Sequence, residues 1–196
     1  TRWATHGVPA QRNSHPHASR TVAVVHNGII ENHESLRAQL QAKGFVFESE
    51  TDTEVIAHAV QVEIDAGKTL RQAVLATIAH LEGAYAIAVM CADQPDSLVL
   101  ARKGSPLVIG VGIGEMFAAS DASALLPVTQ QFVYLDEGDC AEITCKGYEV
   151  FDAQNQPLTR QAHQTTLTDE AVDKGPYRHF MLKEVYEQPR ALTNTL

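Results

Sequence analysis

Apolar and polar positions change rhythm along the chain. Residues 1–20 are polar and turn-rich, with Gly7, Pro9, Asn13 and Pro16, and read as a loop. Thr-Val-Ala-Val-Val-His at 21–26 is a β-branched run that reads as a buried strand. It stops at Asn27-Gly28, the strongest short turn signal in the chain. Helical spacing follows. Asn32 and Ser35 precede Leu36 and Leu40, and Gly44 closes a helix over 33–43. Phe45-Val46-Phe47 reads as a short strand. Asp52 caps a further helix, on which Val55, Ile56, Ala59, Val60, Val62 and Ile64 recur until Gly67. Thr69 opens another, with Leu70, Ala73, Val74, Ile78 and Leu81 on its apolar face.

Beyond these helices the pattern shortens. Residues 84–91, 97–102, 107–111, 115–119, 131–135, 139–144 and 147–151 are short apolar runs separated by Gly, Pro or Asp turns. Such spacing predicts antiparallel sheets, and helices set among them predict an α+β layered sandwich. From about residue 160 the composition turns polar. Gln161 to Lys174 reads as an extended connector, and 179–196 as a helix interrupted at Pro189. The expected organisation is a domain over 1–160 and a connector over 161–196.

Composition narrows the class. The chain has 196 residues, of which 44% are hydrophobic and 20% charged, values of a soluble globular protein. The formal net charge of −9, with no Lys/Arg cluster, argues against nucleic acid as a partner. No apolar run is long enough to cross a bilayer, and the Thr-Arg-Trp start does not resemble a signal peptide. Cys91, Cys140 and Cys145 are odd in number and lack C-x-x-C spacing, so the expectation is a reducing cytoplasm, with neither a disulfide framework nor a zinc site. Thr1 is not a natural initiator, and the function-rich residues at 1–7 need a scaffold behind them. The expectation is that the chain begins inside a domain.

Several residues could carry chemistry. At Asn27-Gly28, a side-chain amide and a backbone N–H can converge on one spot, as an oxyanion hole for acyl transfer requires. An ordinary turn is the other reading. In Thr-Arg-Trp-Ala-Thr-His-Gly at 1–7, Arg2 offers a planar fork for an α-carboxylate, Trp3 a large movable lid, and Thr5 and His6 short polar contacts. A surface loop with an anchoring Trp fits the same residues. Asp52 can cap a helix, receive an ammonium group, or do both. His15 and His17 are spaced as metal ligands sometimes are, but the cysteines are remote, so His15 reads as a hydrogen-bonding residue and no metal is expected. None of the Ser, Thr or Cys residues sits in a convincing nucleophile setting.

Together these segments resemble a known family. Thr-Arg-Trp-Ala-Thr-His-Gly at 1–7, N-x-H-P-H at 13–17, H-N-G-I-I-E-N at 26–32 and S-E-T-D-T-E at 49–54 resemble the glutaminase domain of glucosamine-6-phosphate synthases, also called glutamine–fructose-6-phosphate aminotransferases (isomerizing), of the bacterial type. So do R-x-G-S-P-L-V-I-G at 102–110, Ser120-Asp121, and the stretch from Asp173 to Pro189. The resemblance implies an N-terminal-nucleophile αββα sandwich of antiparallel sheets, incomplete here at its N-terminus. It implies an N-terminal Cys as nucleophile, upstream of the 1–7 motif, so that this chain alone is expected to be inactive. Asn27 and Gly28 would form the oxyanion hole and Arg2 would bind the α-carboxylate of L-glutamine. Asp52 would bind its α-ammonium, and Trp3, Thr5, His6 and His15 would shape the pocket. No cofactor is implied. A sugar-isomerase domain of the same polypeptide would bind fructose 6-phosphate, in a homo-oligomer.

Two other readings remain at the level of sequence. One is the glutaminase domain of another class II amidotransferase, such as the phosphoribosyl-pyrophosphate type. The other is a nucleophile-free module that binds glutamine without hydrolysing it.

Overall fold

The computed structural model describes residues 6–166 and 174–195. Its strands are β1 (His17–Ser19), β2 (Val22–Ile30), β3 (Gly83–Cys91), β4 (Gln94–Lys103), β5 (Val108–Val111) and β6 (Met116–Ala119). They continue with β7 (Gln131–Tyr134), β8 (Cys140–Thr144), β9 (Gly147–Phe151), β10 (Pro157–Leu158) and β11 (His163–Gln164). The α-helices are α1 (His33–Ala42), α2 (Glu54–Asp65), α3 (Leu70–Ile78) and α4 (Phe180–Thr195).

Among the described residues the strands form two antiparallel sheets. The larger runs β1-β2-β3-β4-β8-β9-β10 and the smaller β11-β7-β5-β6. Alternation along β3 and β4 sends side chains to two cores, while β2 contributes to the one under the helices. Val22, Val24, Ile30, Ile87, Val89 and Val99 pack against Leu40 of α1, Val55, Ile56 and Val60 of α2, and Leu70 and Val74 of α3. On the opposite face Ala86, Leu100, Ala141 and Val150 meet Ile109 and Val133 of the smaller sheet. The layers are therefore helices, sheet, sheet. A 3₁₀ turn at Ala122–Leu125 packs beside Phe132 and Val108 of the smaller sheet.

Local signals explain most boundaries. Thr69 and Gln72 form a reciprocal capping box at the start of α3. Gly44, at φ +89°, ends α1, and the N–H of Phe45 returns to the carbonyl of Leu40 at 3.1 Å, closing the helix C-terminus.

Five expectations need correction. The chain does not turn at Asn27-Gly28: β2 continues to Ile30 and stays paired with β3 throughout, Asn27 opposite Ala86 and Gly28 opposite Tyr85. The glycine serves close backbone approach instead, because a Cβ at Gly28 would lie 2.0 Å from the carbonyl oxygen of Ala84. Phe45 to Phe47 is not a strand; both rings pack on His58, at 5.0 and 4.5 Å between centroids, and this side-chain packing replaces sheet pairing. Asp52 does not cap α2, whose N-cap position is Thr53 without a side-chain cap bond. Pro189 does not interrupt α4, which runs through it; the ring forfeits only the bond to the carbonyl one turn earlier. The loop assigned to 1–20 contains β1, which is too short and too polar to show a strand pattern.

Candidate active site

Asp52 is the centre of a buried polar corner. It has no solvent exposure. Its Oδ2 accepts the backbone N–H of Ile30 at 2.9 Å, so the carboxylate is tied to the end of β2 rather than to the start of α2. His6 Nδ1 stands 3.7 Å from Asp52 Oδ1, and the ring of His6 meets that of His33 edge-on at 4.7 Å. His26, buried on β2, places Nδ1 4.0 Å from Asp52 Oδ2 and 3.0 Å from the hydroxyl of Thr53. A carboxylate in such a corner is a ready partner for a cation, since little water competes for it.

Asn27 lies on the other side of β2. It is exposed, and its amide donates to the hydroxyl of Ser120 at 3.3 Å. Asn27 and Ser120 line a cavity of about 230 Å³ with Val25, Ala86, Leu107 and Ala118, between the two sheets. Gly28, at φ +139°, follows Asn27 on the strand that separates this cavity from the Asp52 corner.

A second set of bonds ties residues 6–17 to the peptide that carries Asp52. Asn13, 3% exposed, accepts the N–H of Glu50 at 3.0 Å and donates to Glu50 Oε2 at 3.1 Å and to the carbonyl of Val8 at 2.9 Å. Nearby, His17 Nε2 is 3.3 Å from the hydroxyl of Thr51, and the ring of half-buried His15 meets His17 edge-on at 5.5 Å. Below the corner, Glu54 accepts the N–H groups of Glu48 and Ser49, each at 2.8 Å, and the Ser49 hydroxyl at 2.6 Å. Burial works to raise the Glu54 carboxyl, but the neighbouring His58 and Ser49, with the two backbone donors, outweigh it and lower its pKa to about 2.

The structure thus brings His6 to Asp52, and through His17 and Thr51 it links His15 to the same segment. It sets Asn27 across the strand from them. Arg2, Trp3 and Thr5 lie outside the described residues. Among the described residues no three His, Cys, Asp or Glu side chains gather as a metal site, and no helix is long and apolar enough to cross a membrane. The three cysteines do not line the Asn27 cavity: Cys91 and Cys140 are buried in the core under the helices, and Cys145 is exposed between β8 and β9.

A sequence model described as a glutamine amidotransferase domain matches residues 2–127, more than half of the chain. The chain belongs to this glutamine amidotransferase family. Over all 196 residues the amidotransferase chain is 57% identical to the glutamine–fructose-6-phosphate aminotransferases (isomerizing) of Escherichia coli K12 and Shigella flexneri, covering 32% of each. The Vibrio cholerae protein of the same name is 56% identical over the same span. The chain therefore spans about a third of the length of these relatives. Among solved structures, the B. subtilis glutamine phosphoribosylpyrophosphate amidotransferase, in complex with ADP and GMP, superimposes with a TM-score of 0.64 and 26% identity, covering 80% of this chain and 34% of that one. A class-II glutamine aminotransferase domain protein from Silicibacter pomeroyi shares the fold, with a TM-score of 0.52 and 21% identity, covering 73% of this chain and 72% of that one. The fold is the expected α+β sandwich of the N-terminal-nucleophile type.

Sequence reasoning missed His26, Thr53, Ser120 and the Asn13–Glu50 pair as parts of the site. All five stand in or beside quoted motifs. Their signal was proximity in sequence to Asn27 and Asp52, but distance along the chain does not reveal which segments the fold brings together.

Proposed function

We propose that this chain is the glutamine-hydrolysing part of a glutamine–fructose-6-phosphate aminotransferase (isomerizing), supplying ammonia for the formation of glucosamine 6-phosphate. The observation that carries the reading is 57% identity across the whole chain to proteins of that name, together with a buried carboxylate at Asp52 beside a strand that carries Asn27 and Gly28. The phosphoribosyl-pyrophosphate type has less support: its solved relative is 26% identical and covers less of the chain.

In this reading Asp52 receives the α-ammonium of L-glutamine, Arg2 its α-carboxylate, and Trp3, Thr5, His6 and His15 shape the pocket. A thiolate attacks the side-chain amide carbon, and the developing oxyanion is held by the Asn27 amide and the Gly28 N–H. The proton lost by the thiol passes to the amide nitrogen, so that collapse expels ammonia and leaves a thioester, which water hydrolyses to glutamate and the free thiol. Loss of one oxyanion donor of this kind costs about 2.7–4 kcal/mol in transition-state stabilisation. None of Cys91, Cys140 and Cys145 lines the Asn27 cavity, so the attacking thiol is one that these 196 residues do not contain. No metal or cofactor is needed for the step.

The glutamine domain takes in residues 1–160 and also β11 (His163–Gln164), which pairs with β7 in the smaller sheet. The residues beyond β11, ending in α4, lead toward a sugar-isomerase domain that binds fructose 6-phosphate. The full protein is a cytoplasmic homo-oligomer that does not bind nucleic acid. The test is an assay of the complete gene product with glutamine and fructose 6-phosphate. Glucosamine 6-phosphate and glutamate in equal amounts are expected. Glutamate without amino sugar would favour a different acceptor, and neither product would overturn the proposal.

A further inference from the structure

We propose that Asn13 and Glu50 form a latch that fixes the spacing between the two ends of the glutamine pocket, and that they are positioning residues for this substrate. The inference rests on the reading of Asp52 and the 1–7 peptide as that pocket. An α-amino acid carries its ammonium and carboxylate on one carbon, so the groups that recognise them must be held at a fixed separation. Here they come from two peptides far apart in sequence. Asp52 belongs to one, and Arg2 and His6 to the other.

The latch joins these two peptides. Glu50 Oε2 accepts the N–H of Val8 at 3.3 Å and the Asn13 amide at 3.1 Å, while Glu50 Oε1 accepts Arg12 Nη2 at 3.0 Å. Asn13 donates also to the carbonyl of Val8 at 2.9 Å and accepts the N–H of Glu50 at 3.0 Å. One side chain thus uses its acceptor and its two-hydrogen donor, and the backbone of Val8 is held at both its N–H and its C=O. Gly7 allows the fit: its φ is +76°, and a Cβ there would lie 2.6 Å from the Asn13 amide nitrogen. Val8 stands two residues beyond His6, and Glu50 two residues before Asp52. Each half of the latch is therefore a short lever from a pocket residue, and the two pocket side chains approach to 3.7 Å.

The chemistry of the pair is unsymmetrical. Hydrogen bonds from Asn13, Arg12 and Val8 hold the Glu50 carboxyl below its ordinary value. A carboxylate accepts from several donors at once, whereas an amide in its place would turn an N–H₂ group toward one of them. Asn13 must both donate and accept, so Asp at this position sets a carboxylate against Glu50 and the carbonyl of Val8.

The complete gene product provides the test, with steady-state kinetics in both substrates. Asn13→Asp is expected to raise the KM for glutamine about tenfold, the scale of a lost hydrogen bond to a charged group, and to leave the KM for fructose 6-phosphate unchanged. Selectivity for L-glutamine over its analogue lacking the α-amino group should fall with it. Adding Glu50→Gln to Asn13→Asp supplies the introduced carboxylate with an amide donor and should recover part of the loss, the bond from residue 13 to the Val8 carbonyl staying broken. Glu50→Ala, at a half-exposed position, gives the same KM effect if Asn13→Asp does not fold. Asp52→Asn separates the two readings. If it leaves glutamine KM unchanged, the pocket assignment fails and the latch falls with it. If Asp52→Asn raises KM but the latch variants do not, or if they worsen both substrates together with a lower melting temperature, the latch alone is overturned.

Discussion

Asp52 shows how one residue can satisfy a sequence rule and still be doing something else. By position it precedes a helix and should cap it. Its carboxylate is instead buried and hydrogen-bonded to the N–H of Ile30, leaving the first turn of α2 to Thr53 and Glu54. A buried acid held at the end of a strand is set for a cationic partner, and Asp52→Ala should abolish measurable glutamine saturation in the complete gene product. Isothermal titration with glutamine is the direct check, and binding at native strength would refute the assignment. Gly28 makes a second residue-scale case. Gly28→Ala forces a methyl group to within 2.0 Å of the Ala84 carbonyl at a φ of +139°. Strained backbone of this kind costs about 1–3 kcal/mol before the clash is counted. The variant should unfold at lower denaturant and lose glutaminase activity, and an unchanged urea midpoint would show that the strand relaxes freely there.

At the scale of elements, the sequence was most legible where burial was one-sided. The apolar stripes of α2 and α3 are legible because one face of each meets a core, and the short runs from β3 to β9 because turn residues bound them. Asn27-Gly28 misled because the dipeptide's turn preference is local, whereas nine paired residues of β2 and β3 override it. Phe45 and Phe47 misled because aromatic residues favour strands only when a neighbouring strand is available. Here His58 and Arg37 cover the Phe47 ring, with the guanidinium 4.2 Å from its centroid. The start of α2 carries its own prediction. Glu54 has a folded pKa of about 2 against an ordinary value of 4.5. Its contribution is therefore complete above the ordinary value and is lost as pH falls from there toward 2. Glu54→Gln should cost about 2 kcal/mol at neutral pH, the scale of hydrogen bonds to a charged group, and progressively less below pH 4. Urea midpoints of both proteins across that range are the measurement, and a difference that does not shrink would refute it. Thiol chemistry divides by element too. Burial pushes the Cys140 thiol up to about 12, and Cys91 is equally enclosed, while Cys145 is exposed. Native alkylation followed by peptide mass spectrometry should label Cys145 alone of the three, with Cys91 and Cys140 appearing only after unfolding.

For the whole molecule, the larger sheet is shared by two cores, and this is what a one-dimensional pattern showed least. The runs at 84–91 and 97–102 look uniformly apolar because both faces are covered: Ile87 packs under the helices and Leu100 against the smaller sheet. Periodicity cannot say which neighbour covers which face of a continuous apolar run. The consequence is cooperative. Removing either side chain leaves a cavity in one core, but the strand that bears it also walls the other. Ile87→Ala and Leu100→Ala should each destabilise by about 2–5 kcal/mol. Each should also lower protection of amides in the layer it does not touch, α2 for Leu100→Ala and β5 for Ile87→Ala. Native-state hydrogen exchange read by mass spectrometry separates the cases. Equal loss of protection in both layers is expected from a sheet that opens as one unit. If Leu100→Ala loosens β5 while α2 keeps its native protection, the two cores fold independently. The Asp52 corner, on the helix side, would then be insulated from the Asn27 cavity between the sheets. Coupling matters for the proposed chemistry, because the ammonium end and the oxyanion end of one glutamine would sit on opposite sides of β2, and β2 is kept in register by its pairing with β3, which both cores cover.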